Sequence, residues 1–241
     1  MKLIVATHNE GKLVEIRRIL EEGLGEDAAR IDLVSAGSLH LPDPVETGVT
    51  FQENALLKAR DVASRTGCPA IADDSGLIVD VMGNAPGILS ARWAGHHGDD
   101  AANNALLLAQ IADIPDDRRT ARFRCAAALV VPAARPEGAA AADCTGADIA
   151  GTDNAATAAI ASETVEIGEM PGVIIRAPRG ANGFGYDPLF VPDDQPARAA
   201  TDGEDGTLTS AELTPAEKNA ISHRGKALRA LVPAIERLVR E

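Results

Sequence analysis

The chain opens with a short apolar run, KLIVA (Lys2 to Ala6), followed by a polar loop and then Leu13, Ile16 and Leu20 at helical spacing. A buried strand running straight into an amphipathic helix constrains the fold more than any other feature, because both apolar faces must be covered by packed sheet and helix layers. The alternation continues. Thr50 and Glu53 form a T-x-x-E capping box before the helical run ENALLKARDVA. A strand around AIADDSG and a second apolar piece, LIVDVM, lead into the turn NAPG. Asn103 to Ile111 reads as a helix, and FRCAAALVVP as a strand able to pair with ETVEIGEM or GVIIRAP through hairpins. The expectation is an α/β fold whose sheet is mixed.

Near the end, Thr214, Pro215 and Glu217 form a second capping box with proline at the first helical position. Lys218 and His223 are five residues apart, about 140° around an ideal helix, so one unbroken helix does not aim them at one ligand. Ser222 is placed to cap a fresh helix, and a break there brings Lys218, His223 and Arg224 round to a common site.

At 241 residues the chain is read as one domain, 1–241, with aliphatic side chains carrying the core because aromatics are only 2%. A formal net charge of −13 excludes nucleic acid and acidic membranes as partners. A single nucleotide stays possible, since it needs only a few local cations and backbone donors. Cys68, Cys125 and Cys144 are odd in number and widely spaced, which reads as reduced thiols in a cytoplasmic protein. The N-terminal apolar run is too short for a signal peptide and no later stretch is long enough to span a membrane. Residues 133–162 are rich in Ala, Gly, Asp and Thr and read as a flexible insertion.

Five segments carry chemistry. Thr7, His8, Asn9, Glu10, Gly11 and Lys12 join strand to helix, where free N–H groups and a lysine suit phosphate. The segment is not a P-loop, having Leu13 in the Ser/Thr place, and an ordinary turn with a solvated lysine is the competing reading. Glu46 either favours the positive end of the following helix or joins Asp73 and Asp74 in a carboxylate cluster for Mg²⁺. Asp73 and Asp74 are adjacent on a strand, so they face opposite sides and need separate partners. In RGANGFGYDPLF, three glycines surround Phe184 and Tyr186, either offering a stacking face and close backbone approach or turning the chain around a core Phe184. Lys218, His223 and Arg224 either hold a base carbonyl or phosphate, or form a solvated helix face.

Taken in order, THNEGK, ETGVTFQENALLKA, AIADDSGL, APGILSARWAG, PRGANGFGYDPLF and ELTPAEKNAISHRGKAL resemble the family of non-canonical purine nucleoside triphosphate pyrophosphatases, the inosine/xanthosine triphosphatases. The resemblance implies a two-lobed α/β fold with a long mixed sheet and a nucleotide cleft between the lobes, usually as a homodimer. It implies Mg²⁺-dependent hydrolysis of ITP, dITP or XTP to monophosphate and pyrophosphate. Carried over, Thr7 to Lys12 match the phosphate loop, Glu46 and Asp74 the metal-binding acids, and Asp74 also the proton acceptor. Ser75, Phe184, Gly185, Tyr186, Asp187, Lys218, His223 and Arg224 match substrate contacts. The related pyrophosphatases for modified pyrimidine nucleotides and a non-catalytic purine nucleotide sensor are the alternatives. The insertion and the segment TDGEDGTL depart from the family pattern without removing a matched residue.

Overall fold

The structure, a computed structural model, describes residues 1–133 and 158–240. Six strands form one mixed sheet: β1 (Lys2–Val5), β2 (Asp32–Ser35), β3 (Ala70–Val79), β4 (Thr120–Pro132), β5 (Ile160–Ile174) and β6 (Phe190–Pro192), in the order β2-β1-β3-β4-β5-β6. β1 lies parallel to both β2 and β3, while β5 and β6 are antiparallel. The parallel part follows from α1 (Glu10–Leu24) and α2 (Phe51–Thr66), since parallel strands need a crossover, usually a helix. α3 (Asp100–Gln110), α4 (Ala199–Asp202), α5 (Pro215–Ile221) and α6 (His223–Arg240) complete the described helices.

The chain divides into two compact units. One comprises Met1–Asp74, Ala126–Ile167 and Ala227–Glu241, and the other Ser75–Cys125 and Gly168–Lys226. In the first, Leu3, Ile4 and Val5 of β1 and Ile16, Ile19 and Leu20 of α1 are buried, as the opening alternation requires. Ala55, Ala59 and Ala63 recur every four residues along α2 and are fully buried, a smooth stripe that packs closely without aromatic bulk. In the second, Leu77, Leu107, Ile111, Phe123, Met170, Ile174, Tyr186 and Phe190 form one cluster. The scarce aromatics are concentrated there, with Phe123 and Phe190 edge to face at 4.8 Å.

Both capping boxes are formed. Thr50 accepts from the Glu53 amide and Thr214 from the Glu217 amide, each glutamate reaching back to the cap backbone. The break at Ser222 is also present: its backbone is extended, and its Oγ accepts from the Gly225 amide at 3.0 Å, opening α6. Three expectations change. The pieces AIADDSG and LIV are one ten-residue strand, buried at both ends. Ile160, Ala161 and Ser162 belong to β5, so the insertion is shorter than composition indicated, and residues 134–157 lie outside the described residues. Cys125 is a buried free thiol, but Cys68 is disulfide-bonded, because wide spacing along a sequence sets no limit on distance in the fold. Among the described residues no helix is long and apolar enough to cross a membrane.

Candidate active site

In the first unit, the two adjacent acids of β3 find different helices. Asp73 is buried and receives Lys12 Nζ of α1 at 3.1 and 3.2 Å on its two oxygens. Asp74, half-buried, receives Lys58 Nζ of α2 at 3.0 Å and Asn54 Nδ2 at 3.3 Å. The same Lys58 ammonium lies 3.0 Å from Glu46 Oε1. Three carboxylates thus share two lysines. Burial works to discharge Lys58, but the charges of Asp74, Asp73 and Glu46 outweigh it and hold the ammonium above its usual pKa. Burial pushes Asp74 up from the ordinary carboxylate range; Lys58 pulls it back, and the Glu46 charge adds to the rise.

The loop before α1 is tied down by its own side chains. Thr7 Oγ1 accepts from the Asn9 amide, and Asn9 Oδ1 accepts from the amides of Gly11 and Lys12 as the helix cap. Glu10 accepts from Ser35 Oγ at 2.9 Å. His8 bridges outward, with Nε2 2.8 Å from the Leu41 carbonyl and Nδ1 2.8 Å from Asp43. The expectation of free N–H groups at this helix start therefore fails for Gly11 and Lys12. Asparagine is a strong N-cap and satisfies those donors internally.

In the second unit, the loop 183–187 is built around two left-handed glycines, Gly183 and Gly185, at φ 79° and 62°. A Cβ on Gly183 meets Asp187 Oδ2 at 2.1 Å, so only glycine fits. The buried Asp187 carboxylate accepts from the Phe184 amide at 2.9 Å and from Lys218 Nζ. Phe184 is 66% exposed, and the Lys218 ammonium stands 5.1 Å from its ring centroid. Tyr186 turns the other way into the core, its hydroxyl donating to the Ser90 carbonyl at 2.9 Å. Burial and the charge of Asp100 push that phenol well above its usual pKa. His223 stacks on Phe123 with centroids 5.0 Å apart and rings 15° from parallel, and half-buried Arg224 follows it on α6.

Known proteins match the chain over nearly its whole length. The Ham1 family model matches residues 3–234. The chain belongs to the Ham1 family. It is 74% identical over 251 residues to the dITP/XTP pyrophosphatase of Bifidobacterium longum (strain NCC 2705), covering 99% of this chain and 100% of that protein. It is 49% identical over 238 residues to the dITP/XTP pyrophosphatase of Nocardia farcinica, covering 98% and 96%. Among solved structures, a HAM1 protein from Coxiella burnetii superposes with a TM-score of 0.74 at 34% identity, covering 98% of this chain and 99% of that one. The nucleoside-triphosphatase / dITP/XTP pyrophosphatase of Mycobacterium abscessus gives 0.67 at 45% identity, covering 98% and 100%.

Within this Ham1 chain, Lys12, Glu46 and Asp74 stand in one unit, and Phe184 to Asp187, Lys218, His223 and Arg224 in the other. Ser75 is half-buried on β3 directly after Asp74. Sequence reasoning missed Lys58. It reads as a polar position of the α2 amphipathic pattern, and nothing local says that Glu46, twelve residues before it, and Asp74, sixteen after, converge on it. Glu53 is occupied as a cap, accepting from the Val49 and Thr50 amides. His96 and His97 are exposed loop residues. Glu46 and Asp74 each present an oxygen 3.0 Å from one ammonium, so two hard carboxylate ligands already converge on a cationic centre. That donor set fits a divalent cation with oxygen preference.

Proposed function

We propose that this Ham1 chain hydrolyses purine nucleoside triphosphates carrying deaminated bases, ITP, dITP and XTP, to the monophosphate and pyrophosphate. The observation that supports it best is the Glu46–Lys58–Asp74 constellation, one cation spanned by two partly buried carboxylates. Asp74, the acid whose burial favours its protonated form, is the general base: it orients a water and takes its proton during attack on a phosphoryl group. Lys12 and Lys58 neutralise charge on the phosphate chain, which they reach by exchanging their carboxylate partners for phosphate oxygens. Glu46 and Asp74 would hold Mg²⁺, which when bound would neutralise phosphate charge and polarise the reacting oxygens. Phe184 stacks on the base, and His223 and Arg224 donate to a 6-oxo group where adenine carries an amino donor. The enzyme is cytoplasmic, acts as a homodimer, and clears deaminated purines from the nucleotide pool.

A panel of nucleotides with Mg²⁺ tests this reading. Pyrophosphate is released from ITP or XTP much faster than from ATP or GTP, and Asp74→Asn loses at least a hundredfold in kcat, the scale of general-base catalysis, while its circular dichroism is unchanged. Preference for pyrimidine nucleotides, or Asp74→Asn activity close to wild type, overturns it.

A further inference from the structure

Gly185 sits between Phe184 and Tyr186, and its conformation decides where the exposed ring stands. A Cβ at this position meets nothing within 4 Å, so glycine is there for its positive φ of 62° and not for space. Left alone, such a residue ranges widely over φ and ψ. Here it cannot. Its amide donates to Asp100 Oδ2 at 2.7 Å, and its carbonyl accepts from Asn104 Nδ2 at 3.0 Å. The amide belongs to the peptide plane before the α-carbon and the carbonyl to the plane after it, so holding both fixes φ and ψ together. Asp100 and Asn104 are four residues apart on α3 and share a face of that helix. On the far side of Phe184, Asp187 holds the preceding peptide plane through the Phe184 amide.

We infer that Asp100 and Asn104 are positioning residues for base recognition, a two-point clamp from α3 that pre-sets the backbone on which Phe184 is carried. The inference rests on the reading of Phe184 as the stacking ring. Neither side chain touches the reacting phosphates in this assignment, so the clamp acts on binding and base selection. Releasing it returns the ordering of one backbone residue to the binding step, a roughly tenfold rise in KM, with kcat little changed. Asp100→Asn keeps an acceptor oxygen for the Gly185 amide and retains near wild-type behaviour.

The control is Asp99→Ala. Asp99 caps α3 through the Ala102 amide at 3.0 Å, so its loss weakens the same helix start by a similar route without touching Gly185. The experiment combines steady-state kinetics on ITP and GTP with hydrogen–deuterium exchange of the free protein. Asp100→Ala and Asn104→Ala should raise the KM for ITP about tenfold, narrow the ITP-over-GTP preference, and speed amide exchange in 183–187. Asp99→Ala should lower the melting temperature and leave all three unchanged. Equal effects from Asp99→Ala and Asp100→Ala, or unaltered exchange in 183–187 after Asp100→Ala, overturn the clamp. Should the wild type not turn over ITP, the proposed function fails, and exchange alone decides the clamp.

Discussion

Lys58 is the residue whose removal has the most calculable consequence. Lys58→Met keeps most of the alkyl stem and deletes the ammonium lying 3.0 Å from both Glu46 and Asp74. At an effective dielectric of about 20, each 3 Å contact has a gross attraction of roughly 5 kcal/mol, most of it cancelled by desolvating the ions. The net cost of removing one partner from such a buried pair is about 3–5 kcal/mol. Glu46 is 31% exposed on its side chain and Asp74 12%, which places the loss at the lower end, about 3 kcal/mol near pH 8. That is a large part of the 5–15 kcal/mol typical of a domain. The pH dependence has a definite sign. Asp74 already has a raised folded pKa, by burial first, and loses the lowering effect of Lys58 in the variant. A carboxyl with a raised folded pKa costs nothing below its unfolded value and an increasing amount as pH rises through the folded one. Urea unfolding without divalent metal should therefore show a smaller deficit at pH 5 than at pH 8. Mg²⁺ should recover much of the loss by binding the freed carboxylates, and Lys58→Met/Asp74→Asn should be more stable than Lys58→Met. A deficit below about 1 kcal/mol at pH 8, the range of a surface pair, or one independent of pH, refutes the reasoning.

Two further outcomes follow from the same geometry. His8→Ala removes the contacts to Leu41 and Asp43 that tether the loop before Lys12, and should raise the KM for ITP about fivefold, in line with roughly 1 kcal/mol for a half-exposed tether, with steady-state kinetics as the check. Glu217 is held by the Arg198 fork and by the Thr214 amide, so its pKa falls to about 2. Its contribution to holding α5 is present above the unfolded value of 4.5 and is lost as pH falls toward about 2, and carboxyl NMR of Arg198→Lys should show the titration moving back up.

Much of this was readable from residues because it is local. A strand followed by helical spacing gave β1 and α1, and the boxes at Thr50 and Thr214 mark helix starts that need only neighbours three residues away. Ser222 signalled a helix break for the same reason. The adjacency of Asp73 and Asp74 said that they need different partners, and Lys12 and Lys58 supply them from different helices. The partners themselves depend on crossovers that bring α1 and α2 against β3, which no local pattern encodes. Tyr186 shows the same limit: its place in RGANGFGYDPLF could not tell a ring that faces solvent from one that enters the core. Asn9 was a missed local signal, since an asparagine at a helix start predicts that the first amides are capped.

Phosphorus NMR of ITP incubated with the protein and Mg²⁺ tests the central claim most directly, because it identifies which anhydride breaks. The account predicts inosine monophosphate and pyrophosphate rising together, with neither signal in the Asp74→Asn sample. Inosine diphosphate with orthophosphate would contradict it.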